Sequence, residues 1–131
     1  MDATQAIADL TEISPQVKDV VVIAADGSLT GSNLQEEGAQ RLADGARRLL
    51  DAAEGLRPGV AQLEAATTVG SVFVVRDGER LIAATTTPEP TVGLVFYDLK
   101  TCLRSIDEPK PKPKPRRRTP AKQKEGDDAA A

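Results

Sequence analysis

Hydrophobic residues follow two different spacings along the first 107 positions of the chain. Apolar residues three or four apart, the spacing of an amphipathic helix, predict helices at residues 3–13, 34–54 and 91–106. Continuous or alternating apolar runs predict strands at residues 17–25, 28–31, 60–67, 70–76 and 80–86. The predicted order is α-β-β-α-β-β-β-α. It indicates an α/β (α+β) fold in which helices cover one five-stranded, mostly antiparallel sheet.

Turn signals support these boundaries. Asp26-Gly27 follows the first apolar run, and a second Asp-Gly pair precedes Glu79, so both sites predict tight hairpins that need positive φ at glycine. Ser14-Pro15 ends the first helix, because the residue before proline avoids the helical region. Ser32 and Asn33 are candidate N-caps of the long helix, with a capping box completed by Gln35 or Glu36.

The composition excludes several chemistries. The chain has no histidine and a single cysteine, Cys102, which rules out Ser-His-Asp or Cys-His nucleophile pairs, histidine-ligated zinc and an intrachain disulfide. It also has no glycine-rich phosphate-binding motif. We therefore predict a protein that is not an enzyme and that has no cofactor or metal. Cys102 lies beside the apolar face of the last helix and is expected to be a buried thiol.

Charge divides the chain into two parts. Residues 1–107 carry 9 Lys and Arg against 16 Asp and Glu, whereas residues 108–131 carry 8 against 4. We predict a folded domain over residues 1–107 and a disordered basic tail over 108–131, in which prolines alternate with cations. The tail could bind an anionic membrane surface or nucleic acid, or it could only solubilise the protein. Its candidate anion-binding residues are Lys110, Lys112, Lys114, Arg116, Arg117 and Arg118.

Two features of the long helix could serve a partner. Gly38 and Gly45 lie seven residues apart and share a face, where they either admit another backbone or reflect an alanine-rich composition. Arg41, Arg47 and Arg48 are candidate partner contacts, or else part of a solvated face with i,i+4 pairs such as Asp44–Arg48. No apolar run is long enough for a membrane span and the N-terminus lacks a basic signal region, so we expect a cytoplasmic protein.

The order of elements, together with four local strings, resembles the Roadblock/dynein light-chain family, and in particular its bacterial small-GTPase regulators. The strings are the apolar run ending at Asp26-Gly27, the helix at 40–53, the hairpin at 70–86 and the start of the last helix at 92–99. The match covers about residues 3–106, and a profilin-like domain is the structural neighbour.

The resemblance implies a homodimer that regulates or scaffolds a Ras-like small GTPase, with GTPase activation as one form of that role. Family members pair their sheets through the third strand and set their second helices side by side. This maps the dimer interface to Gly38, Leu42, Gly45, Ala61, Leu63 and Ala65. There are two alternatives. One is a structural adaptor without effect on GTP turnover, and the other is a protein whose main role is to anchor to an anionic membrane or to nucleic acid through its basic tail.

Overall fold

A computed structural model describes residues 1–107 of the chain, and the tail predicted over 108–131 lies outside the described residues. The elements follow the predicted order. They are α1 (Ala3–Ile13), β1 (Val17–Ile23), β2 (Leu29–Ser32), α2 (Glu36–Leu56), β3 (Gln62–Thr67), β4 (Gly70–Asp77), β5 (Arg80–Thr86) and α3 (Val92–Ser105).

The five strands form one sheet in the order β2-β1-β5-β4-β3, and every neighbouring pair is antiparallel. This confirms the predicted fold class. The three inner strands, β1, β5 and β4, are apolar on both faces because helices cover both; in β1, Val20 and Val22 face one side and Val21 and Ile23 the other. The helices and the sheet therefore form three layers.

One face of the sheet packs against α1 and α3, and the other packs against α2. In the first core, Phe73 meets Phe96 of α3 edge to face, with ring centroids 4.9 Å apart. In the second core, three alanines of α2 lie on the sheet, and their small side chains bring the helix close to it: Ala39, Ala43 and Ala46.

The two edges of the sheet differ. On β2, Gly31 lies under α1, where an added Cβ would approach the Cβ of Ala3 to 2.5 Å, so α1 lies close on one face of this four-residue strand. On β3, the neighbouring element is β4, paired from Gln62↔Val75 to Thr67↔Gly70, and the opposite side of β3 has no strand beside it within residues 1–107. β2 is likewise an edge strand, but β3 is longer, with six residues against four, and we call β3 the open edge.

Two local predictions are wrong. The β1–β2 connection spans residues 24–28 rather than two residues, and within it the Ala24 N–H donates to the Ser28 carbonyl at 2.8 Å and the Gly27 N–H to the Ala24 carbonyl at 2.9 Å. Asp26 holds this wider turn by accepting hydrogen bonds from the Ser28 backbone N–H (3.0 Å) and hydroxyl (2.7 Å). Gly27 has the expected positive φ of 89°. In the β4–β5 hairpin, by contrast, only Gly78 and Glu79 separate the paired ends, as predicted.

The predicted capping box is the second error. Gln35 precedes α2 and makes no side-chain capping hydrogen bond. Asn33 is used instead to extend the β1–β2 pairing: its Oδ1 accepts from Val20 N–H at 2.8 Å and its Nδ2 donates to the Lys18 carbonyl at 2.7 Å. The Ser32 hydroxyl accepts from Leu34 N–H at 2.9 Å. These side chains close the β2–α2 loop, and α2 starts two residues later than predicted.

Candidate protein-interaction surface

The open edge of β3 adjoins a groove between α2 and the sheet. The groove has a volume of about 690 Å³ and is mainly apolar. It lies between one flank of α2 and strands β1, β4 and β5, which contribute the half-buried residues Asp19, Val72 and Thr85. Its lining residues are Asp19, Leu34, Gly38, Arg41, Leu42, Gly45, Ala46, Arg48, Leu49, Val72 and Thr85.

The structure brings together residues that the sequence assigned to two separate roles. Gly38, Leu42 and Gly45 of the predicted dimer interface share the groove with Arg41 and Arg48 of the predicted partner contact. We call the groove and the neighbouring edge strand β3 the α2–β3 surface.

The predicted interface residues Ala61, Leu63 and Ala65 do not line the groove, but Ala65 pairs with Val72 of β4, which does. Leu63 packs against the core beneath α2, and Ala65, two residues further on, points to the same side of the sheet. Ala61 precedes the strand rather than belonging to it, but its carbonyl accepts from Arg76 N–H at 2.8 Å and so continues the ladder by one bond.

Two of the three glycines of α2, Gly38 and Gly45, are not required by packing within the chain. A Cβ added at Gly45 would meet no atom within 4 Å, and one at Gly38 would make only ordinary contact with Leu34 at 3.7 Å. Each glycine costs the helix about 1 kcal/mol relative to alanine. The monomer thus offers no steric reason for glycine on this flank of α2.

The three arginines of α2 have different surroundings. Arg47 is tied to its own fold: it pairs with Asp44 at 3.0 Å and donates a hydrogen bond to the carbonyl of Gly27 in the β1–β2 turn. Arg41 has a side chain 79% exposed and only a distant contact with Glu37, at 3.9 Å. Arg48 is exposed. Asp44 therefore pairs with Arg47, three residues on, and not with Arg48 as proposed from spacing.

The floor of the groove carries one polar pair. The Thr85 hydroxyl donates to Asp19 Oδ2 at 3.0 Å and accepts from Asp19 N–H at 3.2 Å, which links the adjacent strands β1 and β5. The rest of the floor is apolar. A carboxylate on the floor and two guanidinium groups at the rim can make charged contacts to a partner whose apolar side chains fill the groove.

Glu54 positions the start of the open edge, and sequence reasoning missed it. Its carboxylate accepts from the backbone N–H groups of Gly59 (2.7 Å) and Val60 (3.2 Å) and from Arg76 Nη2 (3.1 Å). The Gly59 hydrogen bond is the main cause that lowers the pKa of Glu54, followed by that of Val60. A carboxylate near the end of a long helix gives no sequence signal for this role.

Residues 1–107 hold no group of three or more metal-ligating side chains. Burial raises the pKa of the Cys102 thiol to about 11, and nearby Asp9 adds to the effect. Cys102 is 6% exposed and its sulfur lies 3.5 Å from the Ala6 carbonyl.

None of the helices within residues 1–107 is long and apolar enough to cross a membrane.

Comparison with solved structures identifies the fold. The chain superposes on the Roadblock/LC7 domain from Streptomyces avermitilis with a TM-score of 0.69 at 20% identity, over 80% of this chain and 94% of the other. Myxococcus xanthus MglB gives a TM-score of 0.64 at 17% identity, over 78% and 82%. A chain of the LokiProfilin1/rabbit actin complex gives 0.56 at 13% identity, over 77% and 90%. No protein-family model and no curated protein matches. The chain has the Roadblock/LC7 fold, with profilin as a structural neighbour.

Proposed function

We propose that this chain is a non-catalytic, homodimeric Roadblock-type protein that regulates or scaffolds a Ras-like small GTPase, with activation of the GTPase as one form of that role. The observation that carries the proposal is the α2–β3 surface, in which an unpaired strand edge adjoins an apolar groove on one side of the domain. The resemblance to the Roadblock family supplies the class of partner. We also expect the protein to act in the cytoplasm.

The open edge favours pairing with a second copy. β3 exposes backbone donors and acceptors, and its six residues include a single charged side chain, Glu64, with no proline or lysine to prevent pairing. The Ser71 hydroxyl donates to Glu64 at 2.8 Å, so this charge is held against β4. A two-fold axis beside β3 would join two sheets into one and give both copies the same interface.

The flank of α2 fits the same dimer. In a two-fold arrangement the α2 helices of both copies would lie over the joined sheet, and the Leu42 and Leu49 side chains of each could fill the partner's groove. Glycine at positions 38 and 45 would then permit close approach of the helices, which accounts for residues that the monomer does not need.

Arg41 and Arg48 are the candidate contacts for the GTPase, because both are exposed on α2 beside the groove. Arg47 is a weaker candidate, since binding a partner would require it to leave Asp44 and the Gly27 carbonyl. A dimer would present Arg41 and Arg48 twice, once on each copy.

Copurification with a Ras-like GTPase from the same genome, followed by phosphate release, tests this role. A complex that accelerates GTP hydrolysis, and loses affinity in an Arg41→Ala/Arg48→Ala variant but not in Glu12→Gln, supports regulation. A complex without acceleration favours the structural adaptor. If no candidate GTPase binds, the GTPase role is contradicted.

The composition of the tail favours a second candidate function, anchoring to an anionic membrane or to nucleic acid. Residues 110–124 contain eight cations and no acid. They include no aromatic residue, which argues against base stacking and therefore against sequence readout. Binding of the full chain to anionic vesicles and to duplex DNA, with and without glutamine at Lys110, Lys112 and Lys114, tests this function. Equal binding by both proteins would contradict it.

A further inference from the structure

A second groove crosses the end of the sheet where the β1–β2 and β4–β5 turns lie. It consists of three adjoining depressions of about 350, 430 and 220 Å³. The first two share Ala24 and Arg80, and the last two share Ala25 and Glu79. The series begins at Asp107, the last described residue, and ends beside the C-terminal half of α2. We call it the turn groove.

The chain leaves the domain at one end of this groove, and the exit is fixed. The N-terminal ammonium of Met1 lies 2.8 Å from Asp107 Oδ2, and Asp107 N–H donates to the Met1 carbonyl at 3.0 Å. Arg80 Nη1 donates to the Ile106 carbonyl at 3.0 Å. The described part of the chain therefore ends at the wall of the turn groove.

The groove combines an apolar floor with an acidic rim. Its floor includes Ala3, Ala24, Leu81 and Ile106. Its lining carries five carboxylates, of which Asp107 is paired with the Met1 ammonium and the other four form the rim: Asp2, Asp26, Asp51 and Glu79. Hydrogen bonds from Ser28, first from its hydroxyl, lower the pKa of Asp26, which keeps it ionised at neutral pH. The two arginines of the lining already donate to backbone carbonyls: Arg47 to Gly27 and Arg80 to Ile106.

The sequence beyond residue 107 is complementary to this surface. Residues 109–118 read Pro-Lys-Pro-Lys-Pro-Lys-Pro-Arg-Arg-Arg, so apolar rings alternate with cations before three arginines. Nine such residues span about 28 Å in a polyproline II conformation. Because the turn groove begins at Asp107, the segment can enter it without a linker.

We propose that the turn groove binds the basic segment of its own chain, residues 110–118. Prolines lie on the alanine and isoleucine floor, and lysine and arginine side chains meet the carboxylates of the rim. Docking in this way holds the cations against the acidic domain, so an anionic membrane or nucleic acid must compete with the turn groove for them. Ionic strength releases the segment because exposed charge pairs are screened.

Paramagnetic relaxation enhancement in the full chain tests this docking. A nitroxide is attached at Thr119→Cys, which is labelled selectively because Cys102 is buried. At about 0.05 M salt we expect the amide signals of Gly27, Glu79 and Asp51 to fall about twofold or more, while that of Ala65 on β3 is unchanged, and we expect recovery at about 0.5 M salt.

Charge-matched variants distinguish specific binding of the basic segment in the turn groove from unspecific closeness of the segment to the domain. Glu79→Gln/Asp51→Asn removes two rim carboxylates and should restore the signal of Gly27, whereas Glu12→Gln/Glu37→Gln removes the same charge elsewhere and should not. Equal broadening in both double variants, or broadening that salt does not reverse, would overturn the proposal. A further control mixes ¹⁵N-labelled chain that carries no nitroxide with spin-labelled chain. Broadening of the ¹⁵N signals in this mixture would show that the segment binds a second copy, and this would also overturn the proposal.

Discussion

Arg76 Nη2 lies 3.1 Å from Glu54 Oε1, which joins the end of α2 to the strand next to the open edge. The same carboxylate accepts the backbone N–H groups of Gly59 and Val60, so one side chain closes the loop that leads into β3. The geometry of the α2–β3 surface therefore depends on an ionised carboxylate.

This dependence predicts an effect of pH on stability. Because the folded pKa of Glu54 lies below its value in the unfolded chain, ionised Glu54 stabilises the fold above the unfolded pKa, and this contribution is lost as the pH falls through the folded pKa. Glu54→Gln should lower the melting temperature at pH 7 and flatten its decline between about pH 5 and 3. Glu12→Gln on α1 is the control, and a decline as steep in Glu54→Gln as in the wild type would contradict the role.

Gly45→Ala should have opposite effects on the helix and on the dimer. Alanine should stabilise α2 by about 1 kcal/mol, because the added methyl meets nothing within the chain. It should weaken self-association if a second α2 lies close to this position. Denaturant unfolding and sedimentation measure the two effects. Gly55→Ala, also without neighbours at its Cβ but away from the groove, should stabilise the helix and leave association unchanged.

Arg47→Ala should destabilise the fold by about 1 kcal/mol, because it removes the hydrogen bonds to Asp44 and to the Gly27 carbonyl that hold the β1–β2 turn against α2. Arg48→Ala should change stability by less than about 0.5 kcal/mol, as expected for an exposed surface residue. Chemical denaturation of the two variants makes the comparison. Equal losses would contradict the assignment of Arg47 as the structural arginine of the three.

Cys102 should resist thiol reagents in the folded protein. Burial keeps the thiol protonated, with a pKa of about 11, and also blocks access. Ellman's reagent at pH 8 should react slowly with native protein and rapidly after denaturation. Rapid reaction in the native state would show that α3 opens away from α1.

The order of elements could be predicted from the sequence because each segment shows its own period. The apolar run of β1 and the stripe of α3 are long enough to identify strand and helix without tertiary information. The start of α2 could not be predicted, because Asn33 forms hydrogen bonds with Val20 and Lys18, which β1 positions. The length of the β1–β2 turn was also missed, although the hydrogen bonds from Ser28 to Asp26 that hold it are local.

The candidate site was predictable in part. The sequence identified the face of Gly38, Leu42 and Gly45, since helical spacing alone places them together. It did not distinguish Arg47 from Arg48, because the partner of Arg47 is a backbone carbonyl twenty residues away in the chain. The groove itself depends on where α2 crosses the sheet, which local sequence does not encode.

Sedimentation equilibrium at micromolar concentration tests the central claim most directly. We predict twice the mass of one chain for the wild type. We expect the same mass for the control variant Thr4→Lys, which adds a charge at an exposed position of α1. Ala65→Lys adds the same charge to β3 and should shift the equilibrium towards single chains. A wild type that sediments as one chain, or an Ala65→Lys variant as dimeric as Thr4→Lys, would contradict the pairing of two copies through the α2–β3 surface.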